Sequence, residues 1–153
     1  MKNIEIRDFQ PEDLENYVKA SEAFYQSKAV IHPVPKENFV RTFEKCIEKS
    51  PFLRGLVITL DGAFAGYLIL NYTWANEVGG IVIFAEELYI LPEYQGHGLG
   101  HAALQFIEDE RSDEVKRIRL EVTNVNTGAI RLYENIGYEV LDYLQMIKDF
   151  PKK

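Results

Sequence analysis

Hydrophobic residues recur along the chain with two different periods, one typical of strands and one typical of helices. The segment IEIRDF near the N-terminus alternates in character, which predicts a short first strand. Residues 11–27 then predict a helix, with Pro11 suited to its first turn and acidic residues following. Residues 36–49 predict a second helix. Its apolar stripe includes Cys46, which we therefore expect to pack in the core rather than to act as a nucleophile.

The middle of the chain predicts a meander of strands. Asp61-Gly62 lies between two apolar runs, and this dipeptide is a strong hairpin signal. A loop with the sequence ANEVGG leads into the apolar strand IVIFAEELYIL. A helix from Gly98 to about Glu110 follows, and KRIRLEVTN predicts another strand.

The C-terminal part predicts one more helix and a final strand. TGAIRLYENIG reads as a helix closed by Gly137 as its C′ residue, and YEVLDYLQMIKDF predicts a last strand or hairpin. The predicted order is therefore β-α-α-β-β-β-α-β-α-β, which is a mixed α/β fold. No repeat or linker interrupts it, so we expect residues 1–153 to form a single domain.

Composition and charge exclude several classes of function. The composition is that of a globular domain, with 46% hydrophobic and 27% charged residues. A formal charge of −7 argues against a nucleic-acid partner, because neutralising phosphates requires a basic surface. No apolar run is long enough to span a bilayer, so we expect no membrane partner. The N-terminus lacks the apolar core of a signal peptide and the chain has a single cysteine, which favours a cytoplasmic location.

Three glycines between a strand and a helix point to an anion-binding loop. Gly96, Gly98 and Gly100 would let a phosphate approach backbone N–H groups at the positive end of the helix dipole. The loop does not fit a P-loop, because His101 and Ala102 stand where Lys and Ser or Thr are needed. The spacing GHGLG does not fit the dinucleotide fingerprint either. A glycine turn without a ligand stays open as an alternative.

Two motifs in the second half of the chain resemble those of the GNAT family of N-acetyltransferases. EYQGHGLG contains the pattern Q/R-x-x-G-x-G/A, which resembles the family's acetyl-CoA signature. NVNTGAIRLYENIGYE, about 25 residues later, resembles the family's second signature. The segment FAEELYILPEYQGHGLG is most similar to the spermidine/spermine and thialysine acetyltransferase branch.

The resemblance implies a fold, a cosubstrate and a reaction. The fold would have a central mixed sheet with a splayed fourth strand and flanking helices. The protein would transfer the acetyl group of acetyl-CoA, without a metal, to a primary amine by direct transfer in a ternary complex. A small cationic amine such as a polyamine or a lysine analogue suits the branch. Acetylation of a protein or peptide amine, and a non-catalytic acyl-CoA sensor, are the alternatives.

The resemblance also assigns residues to the cofactor. The glycine loop would hold the pyrophosphate, the fourth strand would pair with the pantetheine arm, and the start of the last helix would lie along it. The residues assigned in this way are Leu88, Tyr89, Ile90, Gln95, Gly96, His97, Gly98, Leu99, Gly100, His101, Asn126, Thr127, Gly128 and Ala129.

Two adjacent carboxylates are candidates for the base that takes the proton of the ammonium substrate. An alkyl ammonium titrates near pH 10, so its proton must be removed before the nitrogen can attack. Alignment with the polyamine branch places the functional carboxylate at Glu86. Glu87 either contacts the substrate or is a charge that faces solvent. Successive strand residues point to opposite faces, so both cannot enter one cleft unless a bulge intervenes.

The resemblance names one acid and a few residues near the acceptor amine. Tyr133 would return a proton to the thiolate leaving group, because phenol and thiol have similar pKa values. Tyr25, Trp74 and Glu87 are candidates for binding a cationic substrate. The three histidines lack metal-ligand spacing, so we expect no metal site. A homodimer is expected, with the apolar C-terminal segment YLQMIKDF at its interface.

Overall fold

The computed structural model describes residues 2–27 and 32–151. Its strands are β1 (Ile4–Asp8), β2 (Leu53–Leu60), β3 (Ala63–Ala75), β4 (Gly80–Ile90) and β5 (Val115–Leu120). Its helices are α1 (Leu14–Phe24), α2 (Lys36–Ile47), α3 (Leu99–Glu110) and α4 (Thr127–Asn135), with single 3₁₀ turns at Pro11–Asp13 and Pro92–Tyr94. In this part of the chain, no helix is both long and apolar enough to cross a membrane.

The strands form one mixed sheet in the order β1-β2-β3-β4-β5. Neighbours are antiparallel except β4 and β5, which are parallel and joined through α3. The predicted hairpin joins β2 and β3, where Asp61 (φ 50°) and Gly62 (φ 85°) both adopt the left-handed conformation that such a two-residue turn requires. The predicted mixed α/β fold is confirmed.

Each face of the sheet has its own hydrophobic core. Leu56, Ile58 and Leu68 pack on one face against Leu104 and other residues of α3. On the other face, α1 and α2 cover the sheet with a cluster rich in aromatic rings, including Tyr17, Phe39, Phe43 and Tyr67. Cys46 packs beside this second core, and burial raises the pKa of its thiol to about 12. It is a packing residue, as predicted.

A β-bulge at Glu86 changes the phase of β4. Ile69 of β3 pairs with Glu87 and Leu70 pairs with Ala85, so Glu86 is the additional residue. Ala85 and Leu88 therefore face the same core, although they are three residues apart. The pairing of β4 with β5 ends at Ala85, and β4 continues to Ile90 beside β3 alone. The fourth strand is splayed away from the fifth.

The prediction of a last strand is wrong, because the described residues after α4 form no strand. Helix α4 ends as predicted, with Gly137 at φ 100° and the Tyr138 N–H donating to the Tyr133 carbonyl at 2.9 Å. Residues 138–151, which we call the C-terminal segment, then lie outside helices and strands. An alternating pattern favours a strand, but no strand of the described sheet pairs with this segment.

Candidate functional site

A cleft opens where β4 and β5 diverge, and it brings together residues that are far apart in the sequence. Glu86 and Leu88 from β4 line it together with Asn126 and Tyr133 from the region of α4. The full lining is Phe24, Ala85, Glu86, Leu88, Leu104, Leu120, Glu121, Val122, Asn126 and Tyr133. The splayed strands therefore place the predicted base and the predicted acid in one cleft.

Glu86 is held at the cleft by the bulge. Its side chain is exposed, and its Oε2 accepts a hydrogen bond from the Asn71 side chain at 3.0 Å. Asn71 lies on β3 and pairs with Phe84, which is the next pair along the strands after Leu70 and Ala85. The carboxylate is thus oriented while it stays open to water, which suits it to exchange protons with a bound amine.

Glu87 is buried, so of the two roles predicted for it the solvent-facing one is wrong. Only 9% of it is exposed, because the bulge turns it towards the core beneath α1 and α2. The Tyr25 hydroxyl donates to its Oε2, and the Tyr67 hydroxyl donates to its Oε1 at 2.7 Å. Burial raises the pKa of Glu87, the two hydrogen bonds lower it, and the neighbouring charge of Glu86 raises it further; the net shift is upward.

Tyr67, which donates a hydrogen bond to Glu87, was not predicted from the sequence as a residue of this site. It lies in the middle of the apolar run AGYLIL of β3 and is fully buried. A tyrosine in a central buried strand needs a partner for its hydroxyl, which was the available signal. The partner itself was not predictable, because it depends on the bulge that turns Glu87 inward.

Tyr133 forms one wall of the cleft. Its side chain is half-buried, and burial raises the pKa of its phenol, so the group is protonated at neutral pH. Its ring lies 6.0 Å from the ring of Tyr138, which supports it from the side. Tyr133 therefore has a proton to donate in the cleft where the carboxylate of Glu86 can accept one.

Asn126 caps α4 beside Tyr133. Its Oδ1 accepts a hydrogen bond from the Ala129 N–H at 3.4 Å, which is the usual arrangement of an N-cap residue. Thr127 and Gly128 are exposed in the first turn of the helix. Of the cofactor-binding residues predicted here, Asn126 lines the cleft, whereas Thr127 and Gly128 lie on the surface.

The glycine loop has the conformation of an anion cradle. Gly96 (φ 82°) and Gly98 (φ 79°) are left-handed, and no atom lies within 4 Å of the position where a Cβ would be on either residue. Gly98 is the N-cap of α3, and no side chain caps the N–H groups there. Gly100 differs, because a Cβ there would make ordinary contacts with Leu132 and Leu88 at 3.8 and 3.9 Å. The first-turn N–H groups of α3 are left available for a ligand.

Polar side chains surround this loop. His97 and His101 are exposed, and the ammonium of Lys2 lies against Nδ1 of His97. Gln95 does not point into the loop: its Nε2 donates to the Ile90 carbonyl at 3.0 Å. Gln95 therefore fixes the loop to the end of β4, whereas Leu99 anchors it in the core.

The main chain of Leu88, Tyr89 and Ile90 has one free edge. These residues pair with Leu68, Tyr67 and Gly66 of β3 on one side. On the other side, β5 has already diverged after Ala85. An extended ligand can therefore lie along β4 like an added strand, next to the cleft and below the glycine loop.

Trp74 does not lie near Tyr25 and Glu87, so the structure does not bring the three predicted acceptor residues together. It is 62% exposed and pairs with Ile81 at the far end of β4. Six residues of strand, or about 20 Å, separate that position from Glu87. The chain that follows Tyr25 includes residues 28–31, which lie outside the described residues. Within residues 2–27 and 32–151, no group of three or more His, Cys, Asp or Glu could hold a metal ion.

Comparison with known proteins places the chain in a family. Residues 13–138 match the family described as "Acetyltransferase (GNAT) family". The structure also resembles that of a possible acetyltransferase from Clostridium difficile 630, with a TM-score of 0.83, 17% identity, and coverage of 97% of this chain and 99% of that chain. At this identity the likeness shows the fold.

Curated relatives match shorter segments. A streptothricin acetyltransferase from Streptomyces lavendulae is 29% identical over 84 residues, which are 54% of this chain and 42% of the relative. A thialysine N-epsilon-acetyltransferase from Mus musculus is 27% identical over 105 residues, 61% of this chain and 59% of the relative. The chain thus spans roughly half the length of these relatives.

Proposed function

The chain belongs to the acetyltransferase (GNAT) family, and on that basis we propose that it transfers an acetyl group from acetyl-CoA to a small cationic amine. The observation that carries the proposal is the cleft between β4 and β5, which is lined by the exposed carboxylate of Glu86 and the phenol of Tyr133, together with the uncapped N-terminus of α3 in the glycine loop. A fold alone does not imply a reaction, so the proposal rests on these groups.

The shape and donor groups of the site fit acetyl-CoA. The uncapped N–H groups of α3 and the left-handed Gly96 and Gly98 suit a pyrophosphate, and the free edge of β4 suits an extended amide-containing arm. The bound cosubstrate would supply an acetyl group activated as a thioester. Asn126 borders the inner end of this path.

Glu86 would take the proton from the acceptor ammonium. It is exposed at the cleft and oriented by Asn71, so it can act directly or through a water molecule. Loss of the proton uncovers the lone pair on nitrogen that attacks the acetyl carbonyl. The buried Glu87 is fully engaged with Tyr25 and Tyr67, and we assign it to holding the end of α1 against β4.

Tyr133 would donate the proton that the departing thiolate needs. Burial raises the pKa of its phenol, which is therefore protonated at neutral pH, and it lines the same cleft as Glu86. Two different side chains therefore accept and donate protons, and no covalent intermediate on the protein is required. Cys46, whose pKa is raised by burial, is unsuited to be a nucleophile.

The acceptor is proposed from the charge of the cleft. Glu86 and Glu121 both line it, and none of its lining residues within the described ranges 2–27 and 32–151 is Lys or Arg, which favours a positively charged substrate. The relatives named for streptothricin and thialysine are consistent with an amine acceptor. A cytoplasmic location remains a prediction.

The direct test is release of free CoA thiol from acetyl-CoA in the presence of different amines. The panel contains spermidine, lysine, thialysine, an aminoglycoside, neutral amino acids and a lysine-containing peptide. We expect a small cationic amine to give the highest kcat/KM. A preference for the peptide would favour a protein acceptor instead. Tight acetyl-CoA binding without turnover of any amine would contradict the proposal and favour a sensor.

A further inference from the structure

Each face of the sheet carries a different part of the cleft. Leu120 and Tyr133 pack with α3 on the face where the glycine loop leads into that helix. Asn71 lies on the opposite face, because it follows Ile69 of the other core by two residues, and Phe84 pairs with Asn71 directly. The proposed acetyl-CoA path therefore approaches the cleft from one face, and the opposite face is open to the acceptor amine.

An arginine lies on this opposite face at the rim of the cleft. Arg119 of β5 pairs with Phe84 of β4, and its guanidinium carbon lies 4.1 Å from the centre of the Phe84 ring. Its Nη1 also lies 4.0 Å from Oε2 of Glu121, which lines the cleft. A guanidinium that lies over an aromatic ring can still donate its N–H groups to a planar anion at its edge.

The ion pair between Arg119 and Glu121 is loose. Its two atoms are 4.0 Å apart, and the side chains are 37% and 47% exposed. Arg117, two residues earlier on the same strand, instead forms an ion pair with Glu77 at 2.8 Å. An exposed ion pair at the limit of contact contributes little stability. A ligand that carries both charges can therefore replace the pair between Arg119 and Glu121 with two closer contacts.

We propose that Arg119 and Glu121 are specificity-determining residues of the acceptor site, and that they bind the carboxylate and the α-ammonium of a diamino acid. The distant amine of the same molecule then lies at Glu86. Arg119 has paired donors that match a carboxylate, and Glu121 accepts from an ammonium. The substrate class is thus an amino acid with a terminal amine. This assignment rests on the proposed function, because it places that amine at the carboxylate that takes its proton.

The spacing of the charged groups sets the length of this acceptor. Glu86 follows Phe84 by two residues, or about 6.6 Å of strand, and Arg119 lies about 4.8 Å to the side on the neighbouring strand. The positions of Glu86 and Arg119 are therefore about 8 Å apart. The ε-nitrogen and the carboxyl carbon of an extended lysine are about 7 Å apart. The hydrogen bond from Asn71 at 3.0 Å holds the Glu86 carboxylate at its end of this span.

Arg119 distinguishes amino acids from polyamines. The two carboxylates of the cleft, Glu86 and Glu121, attract any cationic amine. A polyamine has no carboxylate for Arg119, and its additional ammonium groups are repelled by the guanidinium. The site therefore selects by attraction of one acceptor and by repulsion of the other.

The first test uses the unmodified chain with lysine and cadaverine. Cadaverine has the same two amines as lysine and lacks only the carboxylate. We expect kcat/KM for lysine to be higher by about 10-fold or more, because cadaverine leaves the guanidinium without its partner. Equal values, or a higher value for cadaverine or spermidine, would overturn this assignment and leave the proposed acetyltransfer in place. Turnover of no amine would overturn both.

The second test is the variant Arg119→Met. It should raise KM for lysine by about 10–100-fold and change KM for cadaverine by less than about threefold. Turnover of cadaverine also shows that the variant is folded. The matched control is Arg117→Met, which should leave the ratio of the two KM values unchanged, since Arg117 pairs with Glu77. The same loss for both substrates in Arg119→Met, or the same change of ratio in both variants, would overturn the role of Arg119.

The third test concerns Glu121 and the orientation of the acceptor. Glu121→Gln should raise KM for lysine more than KM for 6-aminohexanoate, which keeps the carboxylate and lacks the α-ammonium. Nuclear magnetic resonance of the lysine product should show the acetyl group on the ε-nitrogen. Equal losses for the two substrates would remove Glu121 from the site, and acetylation of the α-nitrogen would overturn the proposed orientation.

Discussion

The region before Glu108 and the region after it differ in how they are packed. Every buried residue of the described chain lies in the first region, including both cores and Glu87. The second region contains β5, α4 and the C-terminal segment, and all of its described residues are exposed or only half-buried. The first region therefore contains the groups that stabilise the fold, and the second rests on its surface.

The candidate site uses both regions. Glu86 and the glycine loop come from the first region, whereas Tyr133 and Asn126 come from the second. Substitutions in the second region should therefore change activity without changing the free energy of unfolding. Substitutions in the cores of the first region should lower the free energy of unfolding and have little direct effect on activity. Loosely packed elements are where functional groups can adjust to a ligand.

The largest expected effect is on catalysis, from Tyr133→Phe. Removing the general acid should lower kcat by about 10²–10⁴-fold, while acetyl-CoA affinity and the free energy of unfolding stay nearly unchanged. Steady-state kinetics, calorimetric titration and urea unfolding measure the three quantities. The matched control is Tyr138→Phe, since the Tyr138 hydroxyl is buried without a partner and does not line the cleft. Equal turnover in the two variants would remove Tyr133 as the acid.

The next effect is on stability. Leu68 is fully buried between β2 and β4, and Leu68→Ala should lower the free energy of unfolding by about 2–5 kcal/mol. Leu144→Ala, at an exposed position of the second region, should change it by less than about 0.5 kcal/mol under conditions where the chain is monomeric. Urea unfolding measures both. Similar losses would show that the second region is packed after all.

The two carboxylates at the bulge give the third comparison. Glu86→Gln should lower kcat/KM by about 10–100-fold near neutral pH. The loss should shrink as pH rises, because more of the amine is already neutral. Glu87→Gln is the matched control and should have a smaller effect on kcat/KM, since Glu87 is covered by Tyr25 and Tyr67. If Glu87→Gln is the more damaging variant over the whole pH range, the assignment of the base is wrong.

A buried ion pair predicts how stability depends on pH. Burial raises the pKa of Asp13, but hydrogen bonds from Arg7 at 2.8 Å and from the Gln10 N–H outweigh it, so the pKa lies below its ordinary value. This stabilisation is present above the ordinary pKa and is lost as pH falls through the lowered one. Asp13→Asn should therefore cost about 1–2 kcal/mol at neutral pH and little in strong acid. Urea unfolding at several pH values tests this, with the exposed Asp113→Asn as control. A cost that does not depend on pH would contradict it.

The smallest effect concerns the glycine loop. Gly98→Ala should lower stability by about 1 kcal/mol, because an alanine is strained at φ 79°, and it should also weaken acetyl-CoA binding. Gly62→Ala is the matched control: its φ is 85° and its Cβ also meets no atom within 4 Å, but it lies in the hairpin turn. Calorimetric titration should show weaker acetyl-CoA binding for Gly98→Ala alone. Equal binding by both variants would remove the loop from the proposed cofactor site.

Much of the fold was predictable because the relevant signals are local. Asp61-Gly62 forces a tight hairpin, Gly137 closes α4, and the two signatures lie on the elements that they indicate. Tyr133 and Glu86 could be named from the motifs, and the cleft brings them together.

The features that were not predicted from the sequence depend on contacts between residues that are far apart in the chain. The bulge at Glu86 involves no glycine or proline, so nothing in the local sequence reports it, and the burial of Glu87 follows from it. The distance between Trp74 and Glu87 was not predictable either, because it depends on the length of the β3–β4 hairpin. The C-terminal segment has the pattern of a strand, but the pattern alone does not show whether a neighbouring strand pairs with it, and none does in the described residues.

Direct transfer can be tested by mass spectrometry of a reaction with acetyl-CoA and the preferred amine. We expect one acetyl group on the amine for each CoA released, and no acetyl group on the protein at any time. Release of CoA without acetylated amine, or an acetyl group on a protein side chain before the amine is acetylated, would contradict direct transfer in the cleft between β4 and β5.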